Sequence, residues 1–183
     1  MARLDRGGQL QWLKQVTTSE HPSAIDIHGA AADARGNVVV GGYVDGKKVL
    51  LDGAELDVAS KFAFELDPAG RVVWSKSLKY GAADTRPPVI DPSGNAIFAF
   101  VSESLEKIHL IKLDPSGGRL WQQKLGGGAT QELTGLAVDS AGNILLSGRG
   151  GLGDAPPEGE LDFIARLDPE GRVLTVRRGK KIA

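Results

Sequence analysis

One nine-residue phrase is written four times along the chain: "LDRGGQLQW" at 4–12, "LDPAGRVVW" at 66–74, "LDPSGGRLW" at 113–121 and "LDPEGRVLT" at 167–175. A second phrase alternates with it, as "DARGNVVVGG" from Asp33, "DPSGNAIFAF" from Asp91 and "DSAGNILLSG" from Asp139. The aspartates of the first phrase stand 62, 47 and 54 residues apart, and those of the second 58 and 48. Recurrence at about 40–50 residues is the period of propeller blades among repeat architectures, and the irregular remainder of each interval belongs to loops.

Both phrases read as hairpin turns. An aspartate supplies a side-chain acceptor, a proline or small residue follows it, and a glycine that tolerates positive φ closes the bend. The flanks carry enough alternation for half-buried strands: "FAFEL", "HLIKL" and "FIARL" enter the LD turn, and "RVVWSKSL" and "RLWQQKL" leave it. No window of eleven or more residues carries a 3.6-residue period, so the chain reads as all-β. Each unit then holds four antiparallel strands, the GN turn joining the first two and the LD turn the last two. The expected array is about three and a half blades in a single propeller-type repeat domain over 1–183. It has a half blade at 1–16 and full blades at 25–79 (strands 25–33, 37–44, 60–67 and 71–79), 87–125 (87–91, 95–101, 107–114 and 119–125) and 133–178 (133–139, 143–149, 161–168 and 172–178), with 17–24 and 45–60 among the irregular loops.

Composition narrows the function. With 22 basic and 23 acidic residues the net charge is −1, unsuited to a protein that binds by neutralising phosphates, so no nucleic-acid partner is expected. The absence of cysteine removes disulfides, thiolate metal sites and a cysteine nucleophile together. No stretch approaches 18 apolar residues and the start carries no signal-like apolar run, so neither membrane insertion nor a secretory leader is read.

The span "LWQQKLGGGATQELTGLAVDSAGNILLSGRGG", followed by "LDFIARLDPEGRVL", resembles the bacterial seven-bladed β-propeller repeat, also called the SBBP repeat. The sharpest matches are "KFAFELDPAGRVVW" and "HLIKLDPSGGRLW". The chain departs from the pattern at Thr175, which stands where Trp12, Trp74 and Trp121 stand, and at "TRPPVID", which puts prolines into the first strand of the second full blade, so a short strand is expected there. The resemblance implies a propeller and a secreted or cell-surface bacterial location, and it implies a fold far more than a chemistry.

Three full sheets do not close a ring of the usual four to eight blades. The expectation is therefore a protein partner or self-association through open blade edges, the array being completed by another chain or by sequence missing before the N-terminus. The irregular connections lie on the rim opposite the stereotyped turns, and binding residues concentrate on such loops. Lys47, Lys48, Arg86, Glu132, Arg149 and Asp154 are the candidate binding residues there.

Catalytic and cofactor readings find little support. His21, His28 and His109 have no metal-site spacing. Asp33, Asp91 and Asp139 lack the alternating oxygen ligands and closing glutamate of a calcium loop, so capping of their own turns is the reading adopted. "LGGGAT" at 125–130 is followed by no Gly-Lys-Ser, and no Gly-x-Ser-x-Gly elbow occurs. Trp12, Trp74 and Trp121, each seven residues past an LD aspartate, read as packing between blades. The expected function is a non-enzymatic protein-binding or structural scaffold without catalytic residue, cofactor or metal. The alternatives are the propeller portion of a hydrolase or quinone-type oxidoreductase, and an engineered propeller fragment.

Overall fold

Antiparallel hairpins form wherever the two phrases place a bend. A computed structural model of the chain describes residues 1–18, 24–45, 48–58, 60–78, 82–102, 104–127, 130–152 and 162–179. Two compact units result, Met1–Lys79 and Tyr80–Ala183. In the first, the strands in chain order are β1 (Ala2–Leu4), β2 (Leu10–Leu13), β3 (Val16–Thr18), β4 (Ile25–Ala32), β5 (Val38–Val44), β6 (Val49–Leu51), β7 (Ala54–Leu56), β8 (Lys61–Leu66) and β9 (Val72–Ser77). The second contains β10 (Ala82–Thr85), β11 (Val89–Ile90), β12 (Ala96–Ser102), β13 (Ile108–Leu113), β14 (Arg119–Leu125), β15 (Glu132–Val138), β16 (Ile144–Arg149), β17 (Asp162–Leu167) and β18 (Val173–Arg178). The chain is all-β, and no helix occurs among the described residues.

Three propeller-type blades are complete: β4-β5-β8-β9, β15-β16-β17-β18, and between them in sequence a sheet in which β10 and β11 both pair with β12, followed by β13 and β14. The half blade is the β1–β2 hairpin. Two features differ from the expectation. The first strand of the middle blade, expected at 87–91, starts at Ala82 and is broken into β10 and β11. Pro87 and Pro88 sit in the break because neither can donate to the ladder; Arg86 just before them gives its backbone N–H to the Ala99 carbonyl at 3.2 Å. The segments 17–24 and 45–60, expected as loops, instead contribute to a small three-stranded sheet, β3-β6-β7. Its reason is local: Asp52 and Gly53 both take positive φ, 51° and 82°, which is the two-residue hairpin turn that Asp-Gly favours.

Strand register sorts residues onto two faces. Arg3 lies opposite Trp12, Glu65 opposite Trp74, Lys112 opposite Trp121 and Arg166 opposite Thr175, so these pairs share what we term the rear face of each sheet. The front face carries Phe62, Phe64 and Leu66 in β8, and Phe163, Ala165 and Leu167 in β17. Residues are buried along the whole of β8 and β13, which explains why "KFAFEL" and "IHLIKL" read as nearly continuous apolar runs; β17, "DFIARL", is buried only at alternate positions.

The cores lie between sheets. In the first unit Val40, Phe62, Phe64 and Leu66 on the front face of β5 and β8 pack with Met1 and Trp12 of the half blade and with Val49, Leu51 and Leu56 of the inserted hairpin. In the second, Ile97, Ala99, Ile108 and Leu110 on the rear face of β12 and β13 pack against Leu133, Ile144, Leu146 and Phe163 of the next blade. Each large aliphatic or aromatic side chain removed from water in this way contributes about 1.5–3 kcal/mol.

Candidate functional site

The seven recurring aspartates are consumed by their own turns. In each, one carboxylate oxygen accepts the backbone N–H groups two and four residues on: Gly7 and Gln9 on Asp5, Arg35 and Asn37 on Asp33, Ala69 and Arg71 on Asp67, Ser93 and Asn95 on Asp91. Ser116 and Gly118 donate in the same way to Asp114, Ala141 and Asn143 to Asp139, and Glu170 and Arg172 to Asp168. These oxygens are turn caps, as the sequence suggested.

The rear faces carry a second repeated device, a seat between successive blades. Trp12 donates its indole N–H to the carbonyl of Pro68, in the LD turn of the following blade, at 3.1 Å, and Arg3 beside it reaches the same carbonyl at 3.1 Å. In the second unit Trp121 and Lys112 donate to the carbonyl of Pro169, again in the following LD turn, each at 3.0 Å. The lysine also forms a buried ion pair with Asp91 of its own GN turn at 2.8 Å. Burial alone would raise the Asp91 carboxyl, but the Lys112 ammonium and the Asn95 amide outweigh it and hold it below the usual carboxylate range. Arg166 makes the corresponding bond to Asp139 at 3.1 Å. In the first full blade the charge is reversed: buried Glu65 accepts the Trp74 indole N–H at 2.7 Å, and Asp33 takes its cation from Arg35 of its own turn at 3.0 Å.

The structure scatters the six rim residues named from the sequence. Lys47 and Asp154 lie outside the described residues. Lys48 is exposed and paired with Glu55 across the inserted hairpin at 2.7 Å. Arg86 is half-buried at the proline break. Glu132 and Arg149 do come together, at 3.6 Å, and Arg149 also reaches Asp162 at 3.4 Å, so one charged row crosses β15, β16 and β17 at the end away from the turns. The row Arg3, Glu65, Lys112 and Arg166 was missed from the sequence. Each stands two residues before an LD aspartate, a fixed offset that marks it in every repeat.

Other chemistry is sparse. Among the described residues no group of three His, Asp or Glu side chains is placed to hold a metal ion. His109 lies flat against Phe100, with centroids 5.3 Å apart, and burial, with Lys124 nearby, holds its imidazole below the ordinary value. A cavity of about 380 Å³ in the first unit is lined by Met1, Leu13, Lys14, Gln15, Val16 and Ile27; the Lys14 ammonium there is already bound to Asp52 at 2.7 Å.

No protein-family model matches the chain, and no curated protein does. Among solved structures it is similar to the hydrazine synthase of Kuenenia stuttgartiensis, with a TM-score of 0.50 and 12% identity over 83% of this chain and 53% of that one. It is also similar to the PQQ-bound aldose sugar dehydrogenase of Streptomyces coelicolor (0.47, 14%, 87% and 50%). A third is a protein of unknown function from Bacteroides caccae (0.42, 13%, 98% and 74%). The chain thus spans about half the length of the first two. At these identities the likeness concerns the fold alone, a propeller-type array of antiparallel sheets.

Proposed function

We propose that the protein is a non-enzymatic scaffold of propeller blades whose open faces are covered by another protein chain. One observation carries this reading. On the rear face of β13 the residues Ile108, Leu110 and Lys112 are buried, whereas Asp162, Ile164 and Arg166, in the same register on β17, are all exposed. The face that β13 buries is thus open to solvent on β17, with Ile164 59% exposed between Asp162 and Arg166. The repeated polar residues support the same reading, since aspartates, tryptophans and cations are used up in capping turns and seating blades. The charged row Glu132–Arg149–Asp162 borders the open face and offers a polar rim around it. The resemblance to the bacterial seven-bladed propeller repeat agrees with such a role at a bacterial cell surface.

A photoreactive benzoyl-phenylalanine in place of Ile164 tests the reading in the cells that make the protein. A covalent protein adduct is expected from position 164 and none from the turn position of Arg71, which is also open to solvent but lies off the face. No adduct at 164 would defeat the scaffold reading.

A further inference from the structure

We propose that the fourth strand of each full blade is a docking edge for an acidic segment of another protein, one that carries apolar side chains among its carboxylates. This surface is separate from the open face of β17 and goes beyond the scaffold reading.

Charge is sorted by strand. The strands that end the three full sheets are β9, β14 and β18. They carry Lys76, Arg119, Lys124, Arg177 and Arg178 and not one aspartate or glutamate, although acidic residues outnumber basic ones in the chain by 23 to 22. All five cations are exposed. Lys48, Arg71 and Arg172, also exposed, are held by the protein's own carboxylates, Glu55 and Asp67 at 2.7 Å and Asp168 at 2.8 Å. Among the described residues none of the five has such a partner. Arg119 donates to Oε1 of Gln122 at 3.3 Å and Arg178 to the Leu152 carbonyl at 2.9 Å, while the side chains of Lys76, Lys124 and Arg177 make no hydrogen bond or ion pair.

The same strands expose an apolar side chain at a fixed place. The ladders join Trp74 to Glu65 and Val72 to Leu66, and Trp121 to Lys112 and Arg119 to Leu113, so Val73 and Leu120 are left opposite no residue, as bulges. They are 50% and 51% exposed. Leu174 repeats the arrangement between Val173 and Thr175 of β18. One open edge of β14 thus presents Arg119, Leu120 and Lys124, the two cations about 17 Å apart along the strand. Cations on an edge guard it against pairing with another basic edge of its kind. What they repel is a cation; a carboxylate is drawn to them. An extended polypeptide with acidic residues about five positions apart and an apolar residue between them meets both features of β14. A sulfated polysaccharide supplies the charge alone and leaves Leu120 in water.

The test is fluorescence anisotropy of the full chain with a fluorescein-labelled peptide of glutamates interspersed with leucines. The same peptide with serine for leucine, heparin, and phosphatidylglycerol vesicles are the comparison ligands. Wild type is expected to bind the leucine peptide in preference to the other three, and less tightly as salt rises. Lys76→Glu and Lys124→Glu are each expected to weaken that binding about threefold or more. Lys48→Glu, which alters an exposed cation of the inserted hairpin, is expected to leave it unchanged. Leu120→Ser should weaken the leucine peptide and not the serine one. Circular dichroism checks that the variants remain folded, and Lys76→Gln with Lys124→Gln replaces the glutamate variants if either does not. No binding of the leucine peptide up to on the order of 1 mM, or a loss in Lys48→Glu equal to that in Lys124→Glu, overturns the proposal. So does equal binding of the two peptides, or tighter binding of heparin or the vesicles. None of the varied residues lies in β17, so such a failure leaves the scaffold reading and its cross-link at position 164 standing.

Discussion

Glu65 stands where the other repeats carry Arg3, Lys112 and Arg166, and the reversal of charge changes what its neighbours do. The Trp74 indole, opposite it in the ladder, bonds the carboxylate. Burial raises the Glu65 carboxyl above its ordinary value of 4.5; the Trp74 bond opposes this and the charge on Asp33 adds to it. A carboxyl whose value rises on folding favours the native state fully below its ordinary value, and that contribution is lost as pH climbs through the raised one. Glu65→Gln keeps an acceptor for the indole and removes the ionisation. Its urea midpoint is expected to exceed that of the wild type at about pH 8 and to match it at about pH 4. A variant less stable than wild type at the higher pH would show that the charge itself is required. At this scale the sequence was partly legible. The aspartate caps could be read because a turn is local, with donor and acceptor four residues apart. The row containing Glu65 was overlooked because its partners, such as Pro169 for Lys112, lie 57 residues away.

The LD turns at Pro68 and Pro169 are also landing sites of the preceding blade, so their glycines serve two purposes that can be separated. Gly70 and Gly8 share a φ of 79°, a region that costs a residue bearing a Cβ about 1–2 kcal/mol. At Gly70 a methyl group would in addition meet the Trp12 ring at 3.2 Å, while at Gly8 it meets nothing. Gly8→Ala should therefore lose about 1 kcal/mol by denaturant titration. Gly70→Ala should lose clearly more, and replacing Trp12 by Leu in the same chain should narrow the gap. Equal losses in the two glycine variants would mean that the indole carries no weight in seating the turn. The elements themselves followed from pattern: β5, β9, β12 and β16 lie within a residue or two of their expected bounds because alternation and Gly-punctuated bends fix strands locally. The inserted hairpin did not follow, although "LLDGAEL" holds the Asp-Gly signal between short apolar runs. Reading the whole interval as a connection between repeats hid it. Prolines 87 and 88 gave a strand that was expected to be short; they break the strand in the middle, and it resumes on the other side as β10.

Over the whole molecule, the caps at Asp33, Asp67, Asp91, Asp139 and Asp168 make stability a function of acid. Asp33, Asp91 and Asp168 are pushed up by burial, yet their turn N–H groups and cations overcome this and hold them below the ordinary 3.8. Asp52, Asp67 and Asp139 are lowered chiefly by hydrogen bonds, from Lys14, from the backbone of Arg71 and from Asn143. Groups lowered on folding contribute above their ordinary value and lose the contribution as pH falls through the lowered one. His109, lowered by burial, behaves likewise from 6.5 downward, whereas Glu65 runs the other way. The lowered carboxylates belong to both compact units and outnumber the single raised one, so the sign for the molecule is set. The melting temperature is expected to slip gently as pH drops below about 6.5 and to fall steeply below about 4, as followed by circular dichroism. The steep phase should survive His109→Gln, because it belongs to the turns, while the gentle one should not. A melting temperature that holds steady or rises between about pH 5 and pH 3 would mean that the turn caps, though made in the folded state, are matched by equal interactions in the unfolded chain.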